Sequence, residues 1–151
     1  MPIDPTLRTR LLAFLRGQRL AVQASTAAGG GPQAAIVGFA VTDAFELVFD
    51  TLQSTRKARN LRANPKIAFV IGGLGDGDER TVQYEGIADE PAGEELERVQ
   101  RAYYAVFPDG PARTSWPGLI YVRVRPTWLR FSDYNVDPPE IVELTSADLT
   151  T

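Results

Sequence analysis

The chain has 151 residues, 16.5 kDa, 44% hydrophobic and 23% charged, with a net charge of -3. That describes one ordinary globular domain over residues 1–151 and excludes a collagenous, coiled-coil or largely disordered chain. There is no Cys and no His, so disulfides, thiolate metal sites, Cys nucleophiles and His general bases are excluded and no metal site is expected.

Residues 5–17 read as a helix, with Leu7, Leu11, Phe14 and Leu15 on one face, Pro5 in the first turn and Gly17 at the stop. Charges interrupt every apolar run of this N-terminus, so neither a signal peptide nor a membrane span is expected, and the cytoplasm is the expected location. Strands are predicted at 19–26, 33–41 and 45–51, joined by the turns AAGGGP and TDA. A short helix follows at 54–63, with Ser54 or Thr55 as N-cap and Asn64-Pro65 as the stop.

The run KIAFVIGG at 66–73 is apolar enough for a buried strand, and RTVQYEGIADE at 80–90 alternates as another. The Gly-rich loop between them fits neither a nucleotide fingerprint nor an EF-hand and reads as a turn. Residues 91–106 form a helix with Leu96, Val99 and Tyr103 toward the core and the acids Glu94 and Glu95 toward solvent. Residues 119–134 give two strand segments around Pro126, and the tail carries a short apolar patch at Ile141, Val142 and Leu144. Six or seven closely spaced strands and three helices without regular alternation indicate an α+β chain, mainly β: an antiparallel barrel with flanking helices.

The stretch FDTLQSTRKARNLRANP, residues 49–65, is the one that carries chemistry. It places Arg56 and Lys57 in the first turn of a helix, where free backbone N–H groups and the helix dipole already favour negative charge. Cations are electrostatically misplaced there unless an anion joins them, and Thr51, Ser54 and Thr55 add hydroxyls. From Arg56 to Lys66 there are five basic residues and no acidic one. Overall charge is mildly acidic, which argues against bulk nucleic-acid binding.

The order of motifs resembles the pyridoxamine 5'-phosphate oxidase-like family of flavin-binding split barrels. It is carried by F-x-T at the strand end, S-x-R-K-A-x-N-L-x-x-N-P, T-V-Q-x-x-G-x-A, and the late Y-V-R-V-x-P-x-W. The resemblance spans about residues 7–134 and leaves a tail at 135–151. It implies a six-stranded antiparallel split β-barrel with flanking helices, a homodimer, and FMN at the dimer interface. Arg56 and Lys57 would hold the phosphate, with Thr51 and Ser54 beside it. Ile36, Val37 and Gly38 would run along the isoalloxazine ring. Thr81 or Gln83 would reach the flavin, and Trp116 and Trp128 would close the pocket. The catalytic residues stay unassigned, because the flavin itself carries the redox chemistry.

Departures from the family pattern narrow this reading. The Arg- and His-containing substrate segment of the true oxidase is missing from the tail, which argues against pyridoxine phosphate as substrate. Heme ligation by His is impossible. The deazaflavin F420 is an alternative cofactor, since its phosphate suits the same basic pocket. The expectation is therefore an FMN-dependent oxidoreductase acting on a small molecule, with an F420-binding reductase or a non-catalytic flavin-binding or sensor module as alternatives.

Overall fold

In the computed structural model, which describes residues 2–150, helix α1 (Pro5–Arg16) starts where the sequence allows it to. Pro5 stands in the first turn and Asp4 caps it, its carboxylate accepting from the Leu7 amide at 3.0 Å. Leu11, Leu12, Phe14 and Leu15 are buried.

The strands are β1 (Leu20–Thr26), β2 (Pro32–Gly38), β3 (Ala40–Val41) and β4 (Leu47–Leu52), then β5 (Lys66–Gly72), β6 (Arg80–Asp89), β7 (Leu119–Asp133) and β8 (Glu140–Thr145). Helices α2 (Arg56–Ala63) and α3 (Gly93–Val106) and the single turns α4 (Gly110–Arg113) and α5 (Ser146–Leu149) complete the chain. All strand pairing is antiparallel, in the order β2-β1-β5-β6-β7-β4-β3, with β8 added onto β7.

The predicted strand at 33–41 is bent at Phe39. Its first half, β2, pairs with β1, and its second half, β3, pairs with β4 through Ala40↔Val48 and Val41↔Leu47. This one bent strand closes the curl at one end. Beyond the bend β2 and β4 are not hydrogen-bonded neighbours, so the barrel is split there. With the bent strand taken as one and β8 set aside, the barrel has the six strands the resemblance implies.

Four local expectations are corrected. Phe45 is not the start of β4; it sits in the preceding turn at φ 60, and the buried Tyr84 hydroxyl donates to its carbonyl at 2.8 Å. Pro126 does not divide the late strand, because β7 runs through it with a bulge. The register passes from Glu85↔Trp128 to Gly86↔Pro126, leaving Thr127 as the extra residue. The apolar patch of the tail is strand β8 with α5 behind it. Glu95 is not merely solvated; it accepts from Arg123 of β7 at 3.0 Å.

The bulge depends on glycine. A Cβ on Gly86 would lie 2.5 Å from the Arg125 carbonyl oxygen and 2.6 Å from Val124 Cγ1. Gly86→Ala is expected to cost about 1–3 kcal/mol, read as a lower midpoint in urea unfolding at unchanged slope.

Inside the barrel, Phe49, Phe69 and Tyr84 meet edge to face at 6.2 and 5.7 Å between centroids. The Leu11, Phe14 and Leu15 face of α1 packs onto the same core. A second cluster (Val48, Val99, Tyr103, Tyr121) seats α3 on the outer face of β3, β4 and the first half of β7. Among the described residues, the outer face of β2, β1, β5 and β6 has no such cover. Ile36 is 65% exposed there, Val70 48% and Ile87 40%. No helix among the described residues is long and apolar enough to cross a membrane.

Candidate functional site

The end of β4 and the start of α2 form one hydroxyl-braced turn. Thr51 is buried on the inner face of β4. Its Oγ1 lies 3.1 Å from Thr55 Oγ1, which itself donates to the Leu52 carbonyl at 2.9 Å and accepts from the Ala58 amide at 3.3 Å. Since Thr55 spends its proton on Leu52, Thr51 is the donor between the two. Thr55 is thus the N-cap, and Ser54, exposed just before it, keeps its hydroxyl free of the cap.

The first two amides of α2, on Arg56 and Lys57, precede any intrahelical acceptor. Arg56 is exposed and Lys57 half-buried. Most arginines of this chain are engaged by a carboxylate, a carbonyl or an aromatic face. Among the described residues, only Arg56, Arg59 and Arg101 have no such partner, and two of these three stand on α2. The same first turn holds no acidic residue. A helix N-terminus carrying unpaired cations is unfavourable by about 0.3–1 kcal/mol for each charge, and a bound anion reverses that sign.

Helix α2 bridges the split. Thr55 ties its start to β4 through Thr51, while Asn60 Nδ2 donates to Gln33 Oε1 on β2 at 2.7 Å and to Ser25 Oγ on β1 at 3.2 Å. Strand β2 is the wall opposite β4. Ile36 points outward and is exposed, and Val37 points into the core at 7% exposure. Gly38 faces outward where a Cβ would fall 2.8 Å from Phe107 Cζ, so this glycine also makes room for the Phe107 ring at the end of α3.

Trp116 is half-exposed in the loop after α4. That loop leans on the turn before α2, the Gln53 amide donating to the Gly118 carbonyl at 2.7 Å. It is seated by a clamp that sequence reasoning missed. Asp50, next to Thr51 but on the opposite face of β4, accepts from Arg113 Nε and from the Tyr103 hydroxyl, both at 3.0 Å. Burial, followed by the charge of Asp50, pushes the Tyr103 phenol well up, so it stays a donor throughout the physiological range.

Thr81 and Gln83 lie elsewhere. Both are on the outer face of β6, paired with Gly72 and Val70 of β5, and Trp128 stands nearby on β7. Strands β1 and β5 separate β6 from β2, a distance of about 14 Å at the usual strand spacing. The structure therefore gathers Thr51, Ser54, Arg56 and Lys57 in one turn, places Trp116 in the loop whose Gly118 meets that turn and Ile36, Val37 and Gly38 across the split, and leaves Thr81 and Gln83 on a separate patch. A hollow of about 500 Å³ on the uncovered face is lined by Ala24, Lys66, Ala68, Glu85 and Ile87, among others, and includes no residue of α2. No group of His, Cys, Asp or Glu side chains able to hold a metal ion occurs among the described residues.

A family model described as pyridoxamine 5'-phosphate oxidase matches residues 7–133. No curated protein matches the chain in sequence. The fold is similar to that of a heme binding protein from Mycobacterium smegmatis, with a TM-score of 0.79 at 16% identity over 98% of this chain. The chain spans 61% of the length of that protein. The General Stress Protein 26 from Bacillus anthracis str. Sterne matches with a TM-score of 0.66 at 20% identity, over 91% of this chain and 98% of its own. The heme storage protein HutZ from Vibrio cholerae matches with a TM-score of 0.68 at 16% identity, over 83% of this chain and 91% of its own. At such identities the likeness is one of fold.

Proposed function

Because the chain belongs to the pyridoxamine 5'-phosphate oxidase family, we propose that it is a homodimeric FMN-binding flavoprotein and an oxidoreductase acting on a small molecule. The observation that carries this reading is the unpaired cation pair, Arg56 and Lys57, on the capped N-terminus of a helix that bridges the barrel split. The donor set fits a phosphate monoester: two side-chain cations, two helix amides and the Ser54 hydroxyl. Thr51, with its proton committed to Thr55, braces the cap rather than donating to the ligand. Bound there, FMN would supply the two-electron chemistry, and the chain's part is to hold it and exclude water.

The uncovered face supports the dimer. Ile36, Val70 and Ile87 place exposed apolar groups on the middle of a sheet, where a second copy removes them from water. The separate patch with Thr81 and Gln83 would then be contributed by that second copy. Val70→Glu, on β5 in the middle of this face, is expected to give a monomer in sedimentation equilibrium and to weaken FMN binding in parallel. A monomeric wild-type protein that still binds FMN tightly would contradict an interfacial site.

Heme is the competing ligand, since two proteins of similar fold are named for it. The chain lacks His and Cys, the residues that most often ligate heme iron along with Met. Titration separates the readings: binding of FMN well above riboflavin supports the phosphate site, whereas binding of hemin without FMN, or of F420 alone, replaces it. Reduction of the bound flavin by NAD(P)H would distinguish an enzyme from a storage or sensor module.

A further inference from the structure

Asn60 is a polar residue in the buried stripe of α2, between Ala58 and Leu61, and is itself only 9% exposed. An amide withdrawn from water needs partners, and this one finds them on two strands, Gln33 of β2 at 2.7 Å and Ser25 of β1 at 3.2 Å. Among the described residues these are the side-chain hydrogen bonds that tie α2 to the β1–β2 side of the split. Thr55 ties it to β4, and the exposed Arg62–Glu90 pair at 2.8 Å holds its last turn.

Ties on opposite sides fix the roll of a helix about its axis as well as its place. Side chains at i, i-3 and i-4 share a helix face and lean toward the N-terminus. Counting back from Asn60, those positions are Lys57 and Arg56. The bond that turns Asn60 toward Gln33 therefore turns the cation pair toward the same strand.

We propose that Asn60 is a positioning residue of the phosphate site: its fork to Gln33 and Ser25 sets the roll of α2 so that Arg56 and Lys57 meet a single phosphate on the β2 side of the split. The inference rests on the FMN reading and adds to it the source of the site's discrimination for a phosphorylated flavin. Asn60 itself touches no ligand and acts through the helix.

The test compares FMN with riboflavin, which differs from it only by the phosphate, in the wild type, Asn60→Ala and Gln33→Met. Asn60→Ala and Gln33→Met are expected to weaken FMN by about tenfold and to leave riboflavin within about threefold of wild type. If Asn60→Ala does not fold, Gln33→Met reads the same contact from its other side. Equal weakening of both flavins, or an unchanged FMN preference in Asn60→Ala and Gln33→Met, overturns the positioning role. A wild type that binds FMN no more tightly than riboflavin overturns the FMN reading itself, before any variant is compared, and this inference with it.

Discussion

Arg56→Ala combined with Lys57→Ala is expected to lower FMN affinity by about a hundredfold to ten-thousandfold while leaving the protein as stable as before or slightly more so. Each hydrogen bond to a charged group is worth about 1.5–3 kcal/mol, and two are lost. The gain in stability comes from the free protein, where both cations oppose the dipole of α2 without a carboxylate to offset them. Opposite signs for binding and stability separate a ligand site from a structural one. Riboflavin, with no phosphate to lose, should bind both proteins alike. Calorimetric titration and thermal melting of the same samples check both halves. A variant that keeps its FMN affinity, or that unfolds, contradicts the phosphate assignment.

Arg123→Ala is expected to destabilise the protein by about 1.5–3 kcal/mol, the cost of removing a buried arginine from an ion-pair network whose carboxylates Asp89 and Glu95 are partly exposed. The Arg123 side chain is 5% exposed and reaches Asp89 at 2.6 Å and Glu95 at 3.0 Å. The same Glu95 bonds to Arg98, which reaches the buried Glu46 at 2.9 Å. Without Arg123, Glu46 and Asp89 have less positive charge between them, and α3 keeps the Tyr104–Tyr121 hydroxyl pair but loses its ion pair to β7. A loss below about 1 kcal/mol in urea unfolding would show that the network is no stronger than a surface pair. The hydrogen bond from Arg98, with the charges of Arg98 and Arg123 adding to it, holds the Glu95 carboxyl below its usual range. Its folded pKa is thus depressed relative to the unfolded chain. The stabilisation is complete above the ordinary glutamate pKa of ~4.3 and is lost as pH falls through the lower folded value. The difference in stability between wild type and Arg98→Ala, which removes the first of these causes, should therefore shrink on acidification below about pH 4.

How much of this was legible in the sequence depended on the range of the interaction. Pro5, the alternation of β6 and the Asn64-Pro65 stop act over a few residues, and each marks an element that the structure shows there, the Asp4 cap apart, which sequence reasoning missed. The sequence offers Ser54 or Thr55 as the cap, and the amide of Ala58 selects Thr55, which Thr51 braces from across the turn. Pro126 signals a break in a single strand, yet the bulge absorbs it, with Thr127 as the extra residue of β7 and Gly86 of β6 leaving room for the bend. The tail lacks a strong period of its own and becomes a strand only by pairing with β7.

The same division holds at the site. The contiguous cations were visible as a misplaced pair. Asn60 left a trace, a polar residue between Ala58 and Leu61 on a buried stripe, but its partners lie 35 and 27 residues away. The Asp50–Arg113–Tyr103 clamp left none, since its members are 53 and 63 residues from Asp50.

The most direct measurement is the visible absorption spectrum of the purified protein after saturation with FMN and gel filtration, with mass spectrometry of whatever heat releases. A yellow dimer that retains one FMN per chain is expected. A colourless protein after that treatment, or one that retains hemin in its place, would contradict the FMN reading.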